Sequence, residues 1–171
     1  PVGQAMDIER ILDRVSDFAS TYVVLTGGEP MIAQGVEELT RRLKEGGYHL
    51  TIETAATVWK DVVCDLASIS PKLGSSTPWA RAIRCANGFS HQADGFSHQA
   101  DAHEEHRLNL DTIRRFMAMP DYQLKFVVDA PEDLTEIDSI LARLAPVEPA
   151  NVLLMPQGVT QEEFASRGRW I

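Results

Sequence analysis

The residues best placed to do chemistry stand where apolar runs end. Tyr22-Val23-Val24-Leu25 gives way to Thr26-Gly27-Gly28-Glu29-Pro30. The two glycines remove adjacent Cβ atoms, so a ligand can lie against bare peptide groups, and Pro30 stops the strand from continuing. Glu29 adds a carboxylate. An anionic acceptor beside backbone carbonyls suits a cationic group such as an α-ammonium, whereas a phosphate would call for Lys and backbone N–H donors. The plainer reading of the glycine pair is a tight turn that needs positive φ. Further polar groups follow later apolar runs: Glu53-Thr54, Ser70-Pro71-Lys72, Asp129 and Gln157. Each has an ordinary explanation on its own: a solvated turn for Glu53, a surface charge for Lys72, a helix cap before Pro131 for Asp129.

What makes them a set is the series of elements that carries them. Asp7 caps a predicted helix with Ile8, Ile11, Leu12, Val15 and Phe18 on one face. A strand over Tyr22 to Thr26 follows, then a helix from about Gln34 to Glu45 with Val36, Leu39 and Leu43 inward and Gly46-Gly47 as its stop. Tyr48 to Glu53 reads as a strand and Thr54 to Trp59 as a turn. Val62 to Ile69 is apolar enough for a strand buried on both faces. A helix over Asn109 to Met117 precedes the strand Gln123 to Val128, whose alternation separates Leu124, Phe126 and Val128 from Gln123, Lys125 and Val127. Lys125 thus leaves the apolar face and in a barrel points inward. A helix over Glu132 to Leu144, a strand over Asn151 to Met155 and the capping box Thr160-x-x-Glu163 complete the pattern. Five strands separated by helices imply an α/β domain, a parallel sheet or partial (β/α) barrel. In such folds every strand ends on one rim, where ligands bind, and that rim gathers Gly27, Gly28, Glu29, Glu53, Thr54, Ser70, Lys72, Asp129 and Gln157.

At 171 residues and 44% hydrophobic content the chain makes one domain with a real core. Its 16 Lys+Arg against 25 Asp+Glu leave a net charge of -9, which repels nucleic-acid backbones. No signal-peptide pattern or membrane-length apolar run is present, so a cytoplasmic protein with no membrane or nucleic-acid partner is expected. Cys64 and Cys85 fit neither a disulfide framework nor a metal knuckle, and Cys64 reads as a small core residue. Periodicity disappears over about 74–108, where Gly88 to Asp94 is repeated as Gly95 to Asp101. His91, His98, His103 and His106 sit in this polar insertion, which reads as an exposed, partly disordered loop rather than a metal site.

Thr26-Gly27-Gly28-Glu29-Pro30 resembles the element with which radical S-adenosylmethionine (SAM) enzymes hold the methionine amino group of SAM. Glu53-Thr54-Ala55-Ala56-Thr57, Ser70-Pro71-Lys72, the run from Tyr122 to Asp129 and Val152 to Gly158 are similar to turns and strands of the 7-carboxy-7-deazaguanine synthases. The resemblance covers most of the chain. It implies a partial (β/α) barrel of the radical SAM type, TIM-like in layout. The implied enzyme is a lyase that converts 6-carboxy-5,6,7,8-tetrahydropterin to 7-carboxy-7-deazaguanine in queuosine and 7-deazapurine biosynthesis. It implies SAM held by Thr26, Gly27, Gly28, Glu29, Ser70 and Lys72, with Glu53, Thr54 and Gln157 on the pterin. A 4Fe-4S cluster, Mg2+ and an electron donor such as flavodoxin or ferredoxin belong to the family enzyme, and a homodimer is within its range. No catalytic residue and no metal ligand is named. The family's Cys-x-x-x-Cys-x-x-Cys loop precedes the glycine motif, whereas Cys64 and Cys85 both follow it. The chain is therefore expected to be a portion without the cluster loop, inactive by itself. Two other classes stay open. One is a radical SAM activating enzyme for a glycyl-radical protein, which the glycine motif allows and a glycyl-radical binding partner would favour. The other is a non-catalytic fold relic or binding module, which the missing cysteines favour.

Overall fold

The computed structural model describes residues 5–76 and 107–171. Asp7 accepts a hydrogen bond from Arg10 N (2.8 Å) and opens α1 (Ile8–Ser16). β1 (Tyr22–Leu25) leads through a 3-10 turn at Pro30–Ile32 into α2 (Val36–Glu45), which stops at Gly46 and Gly47, the latter at φ +81°. β2 (His49–Thr54) and β3 (Leu66–Ile69) follow, then α3 (Leu110–Met117), opened by Asn109 accepting from Thr112 N (3.1 Å). β4 (Tyr122–Val128), α4 (Asp133–Leu144) and β5 (Val152–Pro156) precede α5 (Gln161–Arg167), and Thr160 and Glu163 form the predicted capping box.

The strands form one parallel sheet in the order β1-β2-β3-β4-β5. One face is apolar: Leu50, Ile52, Ala67, Ile69, Leu124, Phe126 and Val128 are all fully buried there. Val36 and Leu43 of α2, Ile113 and Phe116 of α3, and Ile137, Ile140 and Leu144 of α4 belong to the same core. Each such side chain contributes about 1.5–3 kcal/mol by leaving water, which is what holds helices to sheet. The opposite face, read from the register, carries Val24, Thr51, Glu53, Ser68, Gln123, Lys125, Val127 and Met155. The alternation that set Lys125 against Leu124 and Phe126 is therefore realised.

Several expectations need correcting. Phe18 lies beyond α1 and is 70% exposed, because the helix ends before it can join the buried face. The strand expected over Val62 to Ile69 begins only at Leu66. Val62 N bonds Lys60 O (2.9 Å) and Val63 N bonds Thr40 Oγ1 (3.3 Å), so these donors are diverted from the ladder, and Asp65 N to Leu50 O (2.9 Å) is the first bond to β2. Val62 and Cys64 are buried without being strand. The β2 to β3 connection, residues 55–65, contains no helix. Its place in the core is taken by Ala56, Val62 and Cys64, with Trp59 edge-on to Phe116 at 4.9 Å and Arg115 over the Trp59 ring at 5.7 Å. Asp129 does not cap α4; Asp133 Oδ2 instead accepts from Asp129 N (2.7 Å) and Ala130 N (3.2 Å). Of the irregular insertion, Gly74–Ser76 forms a short 3-10 turn, and the duplicated heptad, its histidines and Cys85 lie outside the described residues.

At the other end of the sheet, Lys44 Nζ meets Asp65 Oδ2 at 2.6 Å, and the same oxygen accepts from Leu50 N (2.7 Å). This joins the last turn of α2 to the start of β3, away from the rim. The Lys44 hydrogen bond first, then the Leu50 amide, holds the Asp65 carboxyl below its usual range.

Candidate functional site

The C-terminal ends of the strands carry the candidate site. After β1, Gly27 and Gly28 stand at φ +106° and +59°, and a Cβ added to either would meet nothing within 4 Å. The turn needs glycine for its backbone and leaves open space above its peptide groups. Glu29 does not project into that space alone. Its Oε1 accepts from Met31 N (3.1 Å) and Thr54 Oγ1 (2.7 Å), and its Oε2 from Ala55 N (3.0 Å). The carboxylate thus staples the glycine turn to the end of β2. Thr54 is 3% exposed and also accepts from Ala56 N (2.9 Å), so it too serves the junction.

Glu53 points the other way. Its Oε2 accepts from the Thr26 hydroxyl (3.0 Å) and its Oε1 from Lys125 Nζ (3.1 Å), linking β1, β2 and β4 across the polar face. The Lys125 hydrogen bond first, then the Thr26 hydroxyl, holds the Glu53 carboxyl below its usual range. Ser70 N continues the ladder to Thr54 O (2.8 Å) and brings Pro71 and Lys72 onto the rim. That loop is fastened from behind: Arg107 Nη1 donates to Lys72 O (2.9 Å) and to Glu136 Oε1 (2.7 Å), while Glu136 Oε2 accepts from Gly74 N (2.9 Å). The Lys72 ammonium is exposed and makes no ion pair among the described residues.

Two hollows adjoin on this rim. One of about 250 Å³ is lined by Thr26, Gly28, Glu53, Thr54, Ser70, Lys72, Lys125, Val127 and Met155 among others. The second, about 350 Å³, shares Ser70, Lys72 and Val127 and adds Pro71, Leu73, Asp129 and Gln157. Behind the glycine turn, Gly27, Gly28 and Glu29 also line an apolar hollow of about 450 Å³ against α1 and α2. The structure therefore joins Thr26, Gly28, Glu53, Thr54, Ser70 and Lys72 in one space. It puts Gln157 next door, and Gly27 and Glu29 line the hollow behind the glycine turn. Asp129 is engaged by Arg167 of α5 at 2.8 Å. A roomier hollow of about 550 Å³ at the start of α3 holds none of the predicted site residues. Lys125 was missing from the predicted site set, although strand alternation had already placed it on this face.

The glycine turn, with its open peptide groups, and Lys72 fit one end of a SAM molecule, a zwitterion with an ammonium and a carboxylate. A 4Fe-4S cluster does not fit the described residues of this chain. Cys64 is buried, burial pushes its thiol up to about 11, and no group of three or more metal-holding side chains occurs among the described residues. Nor, among those residues, is any helix long and apolar enough to cross a membrane.

Fold and rim together define a parallel α/β sheet domain with polar groups and hollows at the C-terminal strand ends. QueE from Escherichia coli has this fold: it superposes with a TM-score of 0.60 at 20% identity, covering 96% of this chain and 59% of that one. No protein-family model matches the chain. Two homologues are named 7-carboxy-7-deazaguanine synthase. The one from Rhodopirellula baltica is 38% identical over 172 residues, and the one from Halobacterium salinarum is 36% identical over 173. These alignments take in 100% and 98% of this chain, which spans 62% and 64% of the length of those relatives.

Proposed function

We propose that this chain forms the SAM-binding and substrate-binding rim of a 7-carboxy-7-deazaguanine synthase, a radical SAM lyase of queuosine and 7-deazapurine biosynthesis. The observation that carries the reading is the shared hollow: Gly28 of the open glycine turn, Lys72 with no ion pair among the described residues and a clamped Glu53 line one space at the strand ends, in a chain similar to synthases over nearly its whole length. The peptide groups of Gly27 and Gly28 receive the ammonium of SAM, with Glu29 holding the turn in place through β2. Ser70 and Lys72 donate to its carboxylate or ribose hydroxyls. Glu53 accepts from the adjacent N–H donors of 6-carboxytetrahydropterin, and Gln157 meets the same substrate from the adjoining hollow. SAM, when bound, supplies the 5′-deoxyadenosyl group that removes a hydrogen atom from the pterin.

The reading extends to a 4Fe-4S cluster and Mg2+ held outside this chain's described residues, a flavodoxin or ferredoxin as electron donor, and a cytoplasmic setting. It is tested with protein from the full reading frame, reconstituted anaerobically and given SAM, Mg2+, a reductant and 6-carboxytetrahydropterin. Formation of 7-carboxy-7-deazaguanine is expected. SAM cleavage without conversion of this pterin would reject the assignment, and failure to bind SAM would reject the site.

A further inference from the structure

Three charged groups line the rim hollow: Glu53, Lys72 and Lys125. Glu53 on β2 and Lys125 on β4 are not on neighbouring strands, because β3 runs between them. At that crossing β3 presents Ser68, in register with Glu53 on one side and Gln123 on the other. Ser68 is 1% exposed, and its Oγ accepts from Gln123 Nε2 at 2.8 Å. Lys125 stands one pleat further on, level with the end of β3, and reaches diagonally past that strand to Glu53 Oε1 at 3.1 Å, while the Thr26 hydroxyl takes Oε2 at 3.0 Å. An ionised carboxylate offers about four acceptor positions. After these two bonds each oxygen keeps one, the arrangement that two parallel N–H donors require.

We propose that Lys125 is a positioning residue for substrate recognition. Together with Thr26 it fixes the Glu53 side chain so that one remaining acceptor on each oxygen faces the paired N–H donors of an aminopyrimidinone heterocycle. The inference rests on the pterin reading of this rim. The ion pair removes rotamer freedom that Glu53 would otherwise lose on binding. By occupying the Glu53 charge, Lys125 also leaves Lys72 as the cation in the hollow that is open to an anionic group. The lowered Glu53 carboxyl, with Lys125 as its first cause, agrees with this geometry.

The test uses the full-length, cluster-loaded enzyme with 6-carboxytetrahydropterin and SAM. Lys125→Met is expected to raise KM for the pterin at least tenfold, change kcat less than threefold and leave the dissociation constant of SAM within twofold. Lys125→Arg should restore most of the loss. In a Glu53→Gln background Lys125→Met should have no further effect on KM, which a general loss of packing would not reproduce. If the methionine variant does not fold, Lys125→Gln takes its place. An unchanged KM in the variant would overturn the proposal, as would an equal loss in the Glu53→Gln background or a matching fall in SAM affinity. Wild-type enzyme that cleaves SAM and ignores the pterin sinks the functional reading and this proposal with it. Wild-type turnover beside a silent Lys125→Met sinks the proposal alone.

Discussion

Replacing Glu29 with Gln should destabilise the protein in the absence of any ligand. In the native side chain Oε1 takes two donors, Met31 N and Thr54 Oγ1, and Oε2 takes Ala55 N. Gln keeps the shape but has one oxygen. If that oxygen stays on the Oε1 side, the new NH2 group faces the Ala55 N–H, donor against donor. If the amide flips, two bonds are lost instead. The smaller loss, one bond to a charged acceptor with a half-buried donor left unmet, costs about 1.5–3 kcal/mol. For a chain of this size each kcal/mol moves the melting temperature by about 2–4 °C, so the lower half of that range corresponds to a fall of roughly 3–9 °C. Calorimetry of ligand-free wild type and Glu29→Gln at neutral pH reads this directly, and Thr54→Val with the double variant closes the cycle. The coupling energy between the two positions should be about 1 kcal/mol or more. A melting temperature within a degree of wild type, together with additive variants, would refute the staple and return Glu29 to a purely ligand-facing role.

Gly28→Val puts a β-branched residue at φ +59°, so it should cost about 1–2 kcal/mol in backbone strain and weaken SAM binding at least tenfold; wild-type affinity in calorimetric titration would contradict the site. Asp65 and Glu53 both have lowered carboxyls, so their stabilisation is fully present above their ordinary values of 3.8 and 4.5 and is lost as pH falls through the lower folded values. Asp65→Asn should therefore flatten the acid side of a stability-against-pH curve measured by denaturant titration, and an unaltered slope would show that the Lys44 pair adds nothing. Anaerobic reconstitution of this chain alone with iron and sulfide should leave it colourless, since Cys64 is buried and its thiol resists ionisation; stoichiometric iron uptake would prove otherwise.

Much of this was legible because backbone punctuation is local. The glycine pair with Pro30 and Ser70-Pro71 announce strand ends, and the Thr160 capping box a helix start, each in a few residues, and the strand ends so marked do converge. What sequence could not show was where each polar group finds its partner. Glu29 reads as a ligand acceptor until Thr54 and Ala55 are seen bonded to it across the strand gap. Lys125 could be assigned a face by alternation, but its diagonal reach past β3 to Glu53 depends on the register of three strands. Val62 to Cys64 misled for a related reason: apolar residues read alike whether their amides join a ladder or, as with Val63, bond a side-chain hydroxyl.

The strand order has a kinetic consequence. Because β1 to β5 lie side by side in the order of the chain, every pairing joins consecutive strands, and the one long closure is from β3 to β4, where Ser68 pairs with Gln123. Each addition closes only the segment just made, so loop-closure entropy is met strand by strand, and the β3-to-β4 closure is the slowest step the topology sets. During synthesis these five strands can then add one at a time in chain order. Thr26 and Glu53 are in place before Lys125 emerges to clamp them, which makes the rim's central ion pair a late reporter that β4 has docked in register.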